Sequence, residues 1–227
     1  MRLSANNAPL VVIAARQTAG RGTRGRVWSD AKGQGLALTI VLDANAHDPA
    51  ILPLAAAVAV VDAIGTLLSP RGPRIAVKWP NDIVHTDARG VAARKLGGIL
   101  IERKNDLFLV GIGINTHQTI TDWPQWLRAT AVSLGQLGIR TTRPHLAAVV
   151  LSSLEAALRL SGDATIARWK RHDATPGLAA AFDHDAQRFM GIIRAVEPTQ
   201  WIELELADGT LQRLPASTTV RVPNFTS

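Results

Sequence analysis

Arg16-Gln17-Thr18-Ala19-Gly20-Arg21-Gly22-Thr23-Arg24-Gly25-Arg26-Val27-Trp28 is the stretch around which the chain is organised. The apolar run before it, Pro9 to Ala15, reads as a buried strand, and the run after it, Gly35 to Leu42, as another. A supple cationic loop therefore hangs between two strands of a rigid sheet. Glycine lets backbone N–H groups approach a ligand closely, and arginine offers forked donors that match phosphate and carboxylate oxygens. A solvated basic turn would account for the glycines and arginines alone. It needs neither Gln17 nor Trp28 at the ends, so the stretch reads as an anion-handling loop.

The chain has 227 residues, 47% of them hydrophobic, enough for one large domain or a main domain with a small one. Its formal net charge of +7 favours anionic partners without choosing among nucleotides, an acidic protein and nucleic acid. The absence of cysteine excludes disulfides, thiolate metal sites and a cysteine nucleophile. The first residues carry no signal-peptide core, and the longest apolar run, residues 52–61, is too short to span a bilayer. The expectation is a cytoplasmic protein with no membrane partner.

Along the chain, residues 50–68 are rich in alanine, leucine and valine and too long for a strand, so a buried helix is predicted there. Residues 75–78 and 82–85 are short extended runs around Trp79-Pro80-Asn81. Residues 95–102 and 107–115 read as a hairpin across the charged turn 103–106. Helical spacing follows from Arg143 to about Leu160, and a shorter helix over 163–171. The last stretch turns to short β-type runs at 186–196, 201–207, 211–215 and 218–222, with Asp208-Gly209 as a hairpin turn. The predicted fold class is α+β: a mixed or antiparallel sheet with helices over residues 1–175, then a small β-barrel-like domain over 176–227.

Several residues could carry chemistry. Lys78 ends a predicted strand and could present a point charge to phosphate, or simply face water. Asp82 could orient Lys78, help hold a metal-bound nucleotide, or cap a turn. Gly97 and Gly98 inside one strand, and Gly111 and Gly113 inside the next, mark either close approach of a ligand or a β-bulge. Together they would floor a site for a planar or bicyclic ligand. Asn115, with both donor and acceptor, could read a base edge.

In this order the motifs Gln-x-x-Gly-Arg-Gly-x-x-Gly-Arg-x-Trp, Lys-Trp-Pro-Asn-Asp, Lys-Leu-Gly-Gly-Ile-Leu-Ile-Glu and Gly-Ile-Gly-Ile-Asn resemble the biotin–protein ligase family, from Gln17 to Asn115. A weaker resemblance over residues 189–222 is to that family's SH3-like C-terminal domain. The resemblance implies a class II synthetase-like fold. It also implies an ATP-dependent ligase that forms biotinyl-5′-AMP and transfers biotin to a lysine of a biotin carboxyl carrier domain of acetyl-CoA carboxylase. ATP, with Mg²⁺, would be the cosubstrate; no metal ligand is assigned. Carried over by position, Lys78, Arg21 and Arg24 are the catalytic cations. Gln17, Gly20, Arg21, Gly22, Thr23, Lys78, Gly98 and Gly113 would bind biotin. Arg21, Arg24, Trp28 and Asn115 would bind ATP and the adenylate.

Two departures matter. Many family members have arginine at the position of Thr23, so a leakier adenylate or slower turnover is expected, testable by comparing biotinyl-AMP release from the wild type and Thr23→Arg. The family also carries a Ser-Thr-Asn motif and a short helix before the first strand. Ser4-Ala5-Asn6 lies too near Leu10 to be that motif, so the expectation is a start internal to a longer reading frame; the alternative is a partly missing biotin pocket. No residues are available for the N-terminal helix-turn-helix of some members. A homodimer through edge strands is left open. The nearest rival is a lipoate or octanoate ligase of similar fold. A rival of another class is a non-catalytic basic nucleic-acid-binding protein; with no tyrosine, four phenylalanines and scattered tryptophans, nucleic acid is not an expected partner.

Overall fold

The structure is a computed structural model and describes residues 8–29 and 33–222, with the side chain of Arg24 outside the description. Ser4-Ala5-Asn6 therefore lies outside the described residues. Six strands form the main sheet: β1 (Leu10–Ala14), β2 (Gly35–Asp43), β3 (Ile75–Lys78), β4 (Asp82–Thr86), β5 (Ala92–Lys104) and β6 (Leu107–Asn115). Their order is β1-β2-β6-β5-β4-β3, and every neighbouring pair is antiparallel. The β5–β6 hairpin turns at Asn105, whose left-handed φ of 54° suits asparagine.

Period-two alternation gives the sheet two unlike faces. Leu36, Leu38 and Ile40 of β2 and Val110, Ile112 and Ile114 of β6 are buried on one face, beneath the helices. α1 (Leu52–Gly65) is apolar nearly all round and buried accordingly, with Pro53 in its first turn, where a missing N–H costs nothing. α2 (Arg143–Leu158) is capped by the Thr142 hydroxyl, which accepts the His145 N–H, and α3 (Gly162–His172) by Ser161 in the same way. Each fully buried leucine or isoleucine in this layer contributes about 1.5–3 kcal/mol.

The other face is open and flatter. One row of residues in register crosses all six strands: Ala14, Ala37, Gly113, Gly98, Asp82, Lys78. Two alanine methyls and two glycines thus lead to a carboxylate and an ammonium.

β1 corrects an expectation. It is an edge strand paired only with β2, and Val11, Val12 and Ile13 are 40%, 51% and 50% exposed instead of buried. Apolar sequence alone does not distinguish an edge from the centre of a sheet.

Past α3 a second, wholly antiparallel sheet follows: β7 (Ala179–His184), β8 (Gln187–Glu197), β9 (Trp201–Leu206), β10 (Leu211–Pro215) and β11 (Val220–Arg221). Its order is β10-β9-β8-β7-β11, so it ends at two edges and does not close into the anticipated barrel, though five short strands are compatible with an SH3-like unit. Trp79 joins the two sheets: its ring centroid lies 6.2 Å from that of Phe182, and its indole N–H points to the Pro198 carbonyl at 3.5 Å.

Candidate functional site

The basic loop folds back on itself. Trp28 N–H donates to Gly20 O at 2.9 Å, Gly22 N–H donates to Arg26 O at 2.7 Å, and residues Thr23–Gly25 make one 3-10 turn at the tip. Gly20 is required: a Cβ there would lie 2.5 Å from the Trp28 carbonyl oxygen and 3.2 Å from Gln17 Oε1. Arg26 ties down the tip through Thr23, donating from Nη2 to its hydroxyl at 3.0 Å and from Nε to its carbonyl at 3.3 Å. Thr23, at the position where the resemblance leads to arginine in many family members, is an acceptor for Arg26.

The closed hairpin lays Trp28 on the open face of the sheet. A Cβ on Gly113 would come within 2.8 Å of the indole ring, and one on Gly98 within 3.6 Å. These glycines therefore let an indole lie flat across β5 and β6. A bulge is present as well: Ile83 pairs with Gly97 but Val84 with Lys95, leaving Leu96 as the extra residue. Its consequence is directional. Strict alternation from Gly98 would put Leu96 on the open face; with the bulge Leu96 is buried in the core and Lys95 emerges beside Trp28, its Nζ 5.6 Å from the ring centroid.

Lys95 meets Asp82 there at 2.5 Å, and Lys78 meets the other oxygen of the same carboxylate at 2.8 Å. Burial alone would raise the Asp82 carboxyl, but the two ammonium groups outweigh it and hold its pKa at about 2. Burial pushes Lys78 the other way, below the usual lysine value. Asp82 opposes that shift, while Arg221 and Lys95 add to it. The two directions are consistent because one carboxylate is divided between two ammonium groups: the anion is fully compensated and the cations are not. Arg221, in β11 of the second sheet, brings a further positive charge that Lys78 and Asp82 both feel, and burial lowers its own pKa first of all.

Of the anticipated residues, Lys78, Gly98, Gly113, Trp28 and the Gly20–Thr23 segment come together on this face, with Gln17 beside Gly20. Arg21 shares the face but is held elsewhere, paired with Glu102 at 3.0 Å. Glu102 is four residues along β5 from Gly98, about 13 Å at strand rise. Asn115 is buried, and its amide donates to Val132 O at 3.0 Å and Lys95 O at 3.4 Å, fixing the 131–134 segment to the sheet. Arg24 contributes only backbone to the description, in the 3-10 turn. Sequence reading gave no role to Lys95 or Arg221; the bulge and the strand pairing that bring them in are not visible in local pattern. No cluster of three His, Cys, Asp or Glu side chains able to hold a metal occurs among the described residues, and no helix among them is long and apolar enough to cross a membrane.

This arrangement can seat an anion against Lys78 and Lys95 beside the basic loop. Known proteins are similar to this chain. A biotin–[acetyl-CoA-carboxylase] ligase of Mycobacterium tuberculosis is 34% identical over 177 residues, covering 76% of this chain and 59% of the relative. The bifunctional ligase/repressor BirA of Bacillus spizizenii is 38% identical over 143 residues, covering 59% of this chain and 41% of the relative. The chain thus spans about half the length of the curated relatives it matches. The solved biotin protein ligase of Aquifex aeolicus, in complex with biotin and ATP, superposes with a TM-score of 0.76 at 21% identity, covering 93% of this chain and 88% of that one. The Leishmania major biotin protein ligase with biotinyl-5-AMP gives 0.62 at 24% identity, covering 94% and 91%. At those identities the structures speak for the fold. The model of the biotin/lipoate A/B protein ligase family matches residues 1–118, more than half of the sequence, and the chain belongs to that family.

Proposed function

We propose that the chain is an ATP-dependent biotin–protein ligase, forming biotinyl-5′-AMP and passing the biotinyl group to one lysine of a carboxylase carrier domain. The observation that carries this reading is the single Asp82 carboxylate shared by Lys78 and Lys95 beside the Trp28-covered glycine floor. In the first step a carboxylate oxygen of biotin attacks the α-phosphorus of ATP, and pyrophosphate leaves with the electron pair of the broken P–O bond. Negative charge gathers on oxygens at the reacting centre, and fixed cations stabilise it there; one such positioned donor is worth about 10²–10³ in rate. In the second step the acceptor lysine amine attacks the biotinyl carbonyl and AMP leaves. Neither step needs a covalent protein nucleophile.

Within this reading Lys78 serves the reacting centre, and Gln17, Gly20, Gly22, Thr23, Gly98 and Gly113 border biotin. Arg21, Arg24, Trp28 and Asn115 serve the adenylate. Arg21 would reach it by exchanging Glu102 for a phosphate as the hairpin moves. Mg²⁺ arrives with ATP as part of the substrate. Residues 1–175 do the chemistry and 176–227 form the SH3-like unit. The names of the relatives, which print biotin and acetyl-CoA carboxylase, and the biotin, ATP and biotinyl-5-AMP in the structural neighbours support the substrate and carrier assignments. A homodimer would use the open β1 edge, and sedimentation at increasing concentration tests it.

The deciding experiment is ATP–pyrophosphate exchange with biotin or lipoate as the acid. Label is expected in ATP with biotin only. Exchange with lipoate alone would move the chain to the lipoate branch, and none with either acid would refute adenylation.

A further inference from the structure

Lys78 stands at the end of β3, the outermost strand of the main sheet on that side. Its own pairing partner is Asp82 in β4. The outer edge of β3 is covered by three residues, Asp173-Ala174-Thr175, in the connection between α3 and the second sheet. Val77 and Asp173 form a parallel bridge there, and Ala174 N–H donates to Val77 O at 2.8 Å.

In a regular parallel ladder the Ala174 carbonyl would then accept the Trp79 N–H. Instead that carbonyl turns to β5 and accepts the Ala92 N–H at 3.0 Å. The next residue after Thr175 is Pro176, which has no N–H with which to continue a ladder. The Trp79 N–H is taken instead by a side chain: Thr175 Oγ1 accepts it at 2.8 Å, fully buried. Thr175 is in turn held by Asp173, whose carboxylate accepts the Thr175 N–H at 2.8 Å and is also hydrogen-bonded by its side chain. An ionised carboxylate only accepts, so the Thr175 hydroxyl gives its proton to Asp173 and keeps a lone pair for Trp79.

We infer that Asp173 and Thr175 are positioning residues that hold the Trp79 N–H and thereby aim the Lys78 ammonium at the reacting centre. The inference rests on Lys78 being the ammonium of the proposed ligase site. The residues that flank Lys78 on the outer edge, Val77 and Trp79, both bond through their backbone to this segment, while the Trp79 ring packs against Phe182. Neither residue touches the site itself. The charges felt at Lys78 are those of Asp82, Arg221 and Lys95, and Asp173 is not among them. The route from Asp173 to Lys78 is geometric, through Thr175 and the Trp79 N–H.

The test is an NMR titration of the Lys78 ammonium in the wild type, Thr175→Val and Thr175→Ser. Thr175→Val keeps the shape and loses the acceptor; the Lys78 pKa is expected to move up toward the free-lysine value as the strand end loosens into water. Thr175→Ser restores the hydroxyl and is expected to return the wild-type value. In pyrophosphate exchange Thr175→Val lowers kcat about tenfold to a hundredfold with KM for biotin unchanged, and Thr175→Ser recovers it. A Lys78 titration identical in wild type and Thr175→Val overturns the inference. If Thr175→Val does not fold, Asp173→Ala, which removes the acceptor, is read in the same way: a Lys78 shift supports the relay and an unmoved Lys78 refutes it. The titration needs no substrate, so a wild type inactive in exchange sinks the ligase reading, and the aiming role with it, whereas an active wild type with an unmoved Lys78 in Thr175→Val sinks this inference alone.

Discussion

Both sheets of the molecule carry basic residues on open faces, and they treat them oppositely. On the second sheet three arginines each have their own acid: Arg188 meets Asp183 at 2.7 Å, Arg194 meets Glu205 at 2.5 Å and Arg213 meets Glu203 at 2.8 Å, while Arg221, at its β11 edge, faces the main-sheet site instead. Arg213 also lies 4.1 Å from the Trp201 ring centroid. On the main sheet Lys78 and Lys95 divide the one carboxylate of Asp82. The first face is a neutral ladder of surface pairs, which adds little to stability and asks for no ligand. The second is half-buried and leaves positive charge over. Basic composition alone does not identify an anion site; local excess of cation over carboxylate does.

The largest way to break this contrast is at Lys78. Lys78→Gln removes the undercompensated cation and should lower biotin-dependent pyrophosphate exchange by about 10²–10³, measured at saturating biotin and ATP. An unchanged rate would place the chemistry elsewhere.

A second effect concerns stability. Burial raises the Asp173 carboxyl to about 6 from 3.8, against the pull of its bonds to Thr175. The folded state therefore holds this proton more tightly than the unfolded chain. Stability from this group falls as pH rises from about 4 to about 6, by about 3 kcal/mol in all. Asp82 runs the other way: held at about 2, it adds stability above about pH 4 that is lost as pH falls toward 2. Denaturation of Asp173→Asn at several pH values separates the two. The variant should be more stable than the wild type at pH 7, and the difference should vanish below about pH 4.

Much of this was legible in the sequence. The β5–β6 hairpin and the basic loop announced themselves through turn chemistry and glycine placement, and Lys78 through its position at a strand end. What stayed hidden depends on tertiary pairing. The bulge at Leu96 turns Lys95 to the open face, and nothing in Lys95-Leu96-Gly97-Gly98 says which of two adjacent residues is extra. Thr175 is 96 residues from Trp79, and a lone threonine before a proline reads as a turn. β7 escaped notice because Ala179, Ala180 and Ala181 have low strand propensity; pairing with β8 and the packing of Phe182 against Trp79 hold it in place.

Two smaller effects sharpen the comparison. Gly113→Ala puts a methyl 2.8 Å from the Trp28 ring, so the indole must leave the floor. Exchange should fall about tenfold, the cost of roughly 1.4 kcal/mol, with KM for biotin raised; unchanged kinetics would free the floor of any role. Arg213→Gln, on the neutral ladder, should change unfolding free energy by less than about 1 kcal/mol and leave exchange as it was.

The most direct measurement follows the Lys78 ammonium by NMR titration with and without biotinyl-5′-AMP. If cation left over by Asp82 is what receives the phosphate, the bound anion raises the Lys78 pKa toward or beyond the ordinary lysine value. A Lys78 that titrates identically in the presence of saturating adenylate would contradict the account.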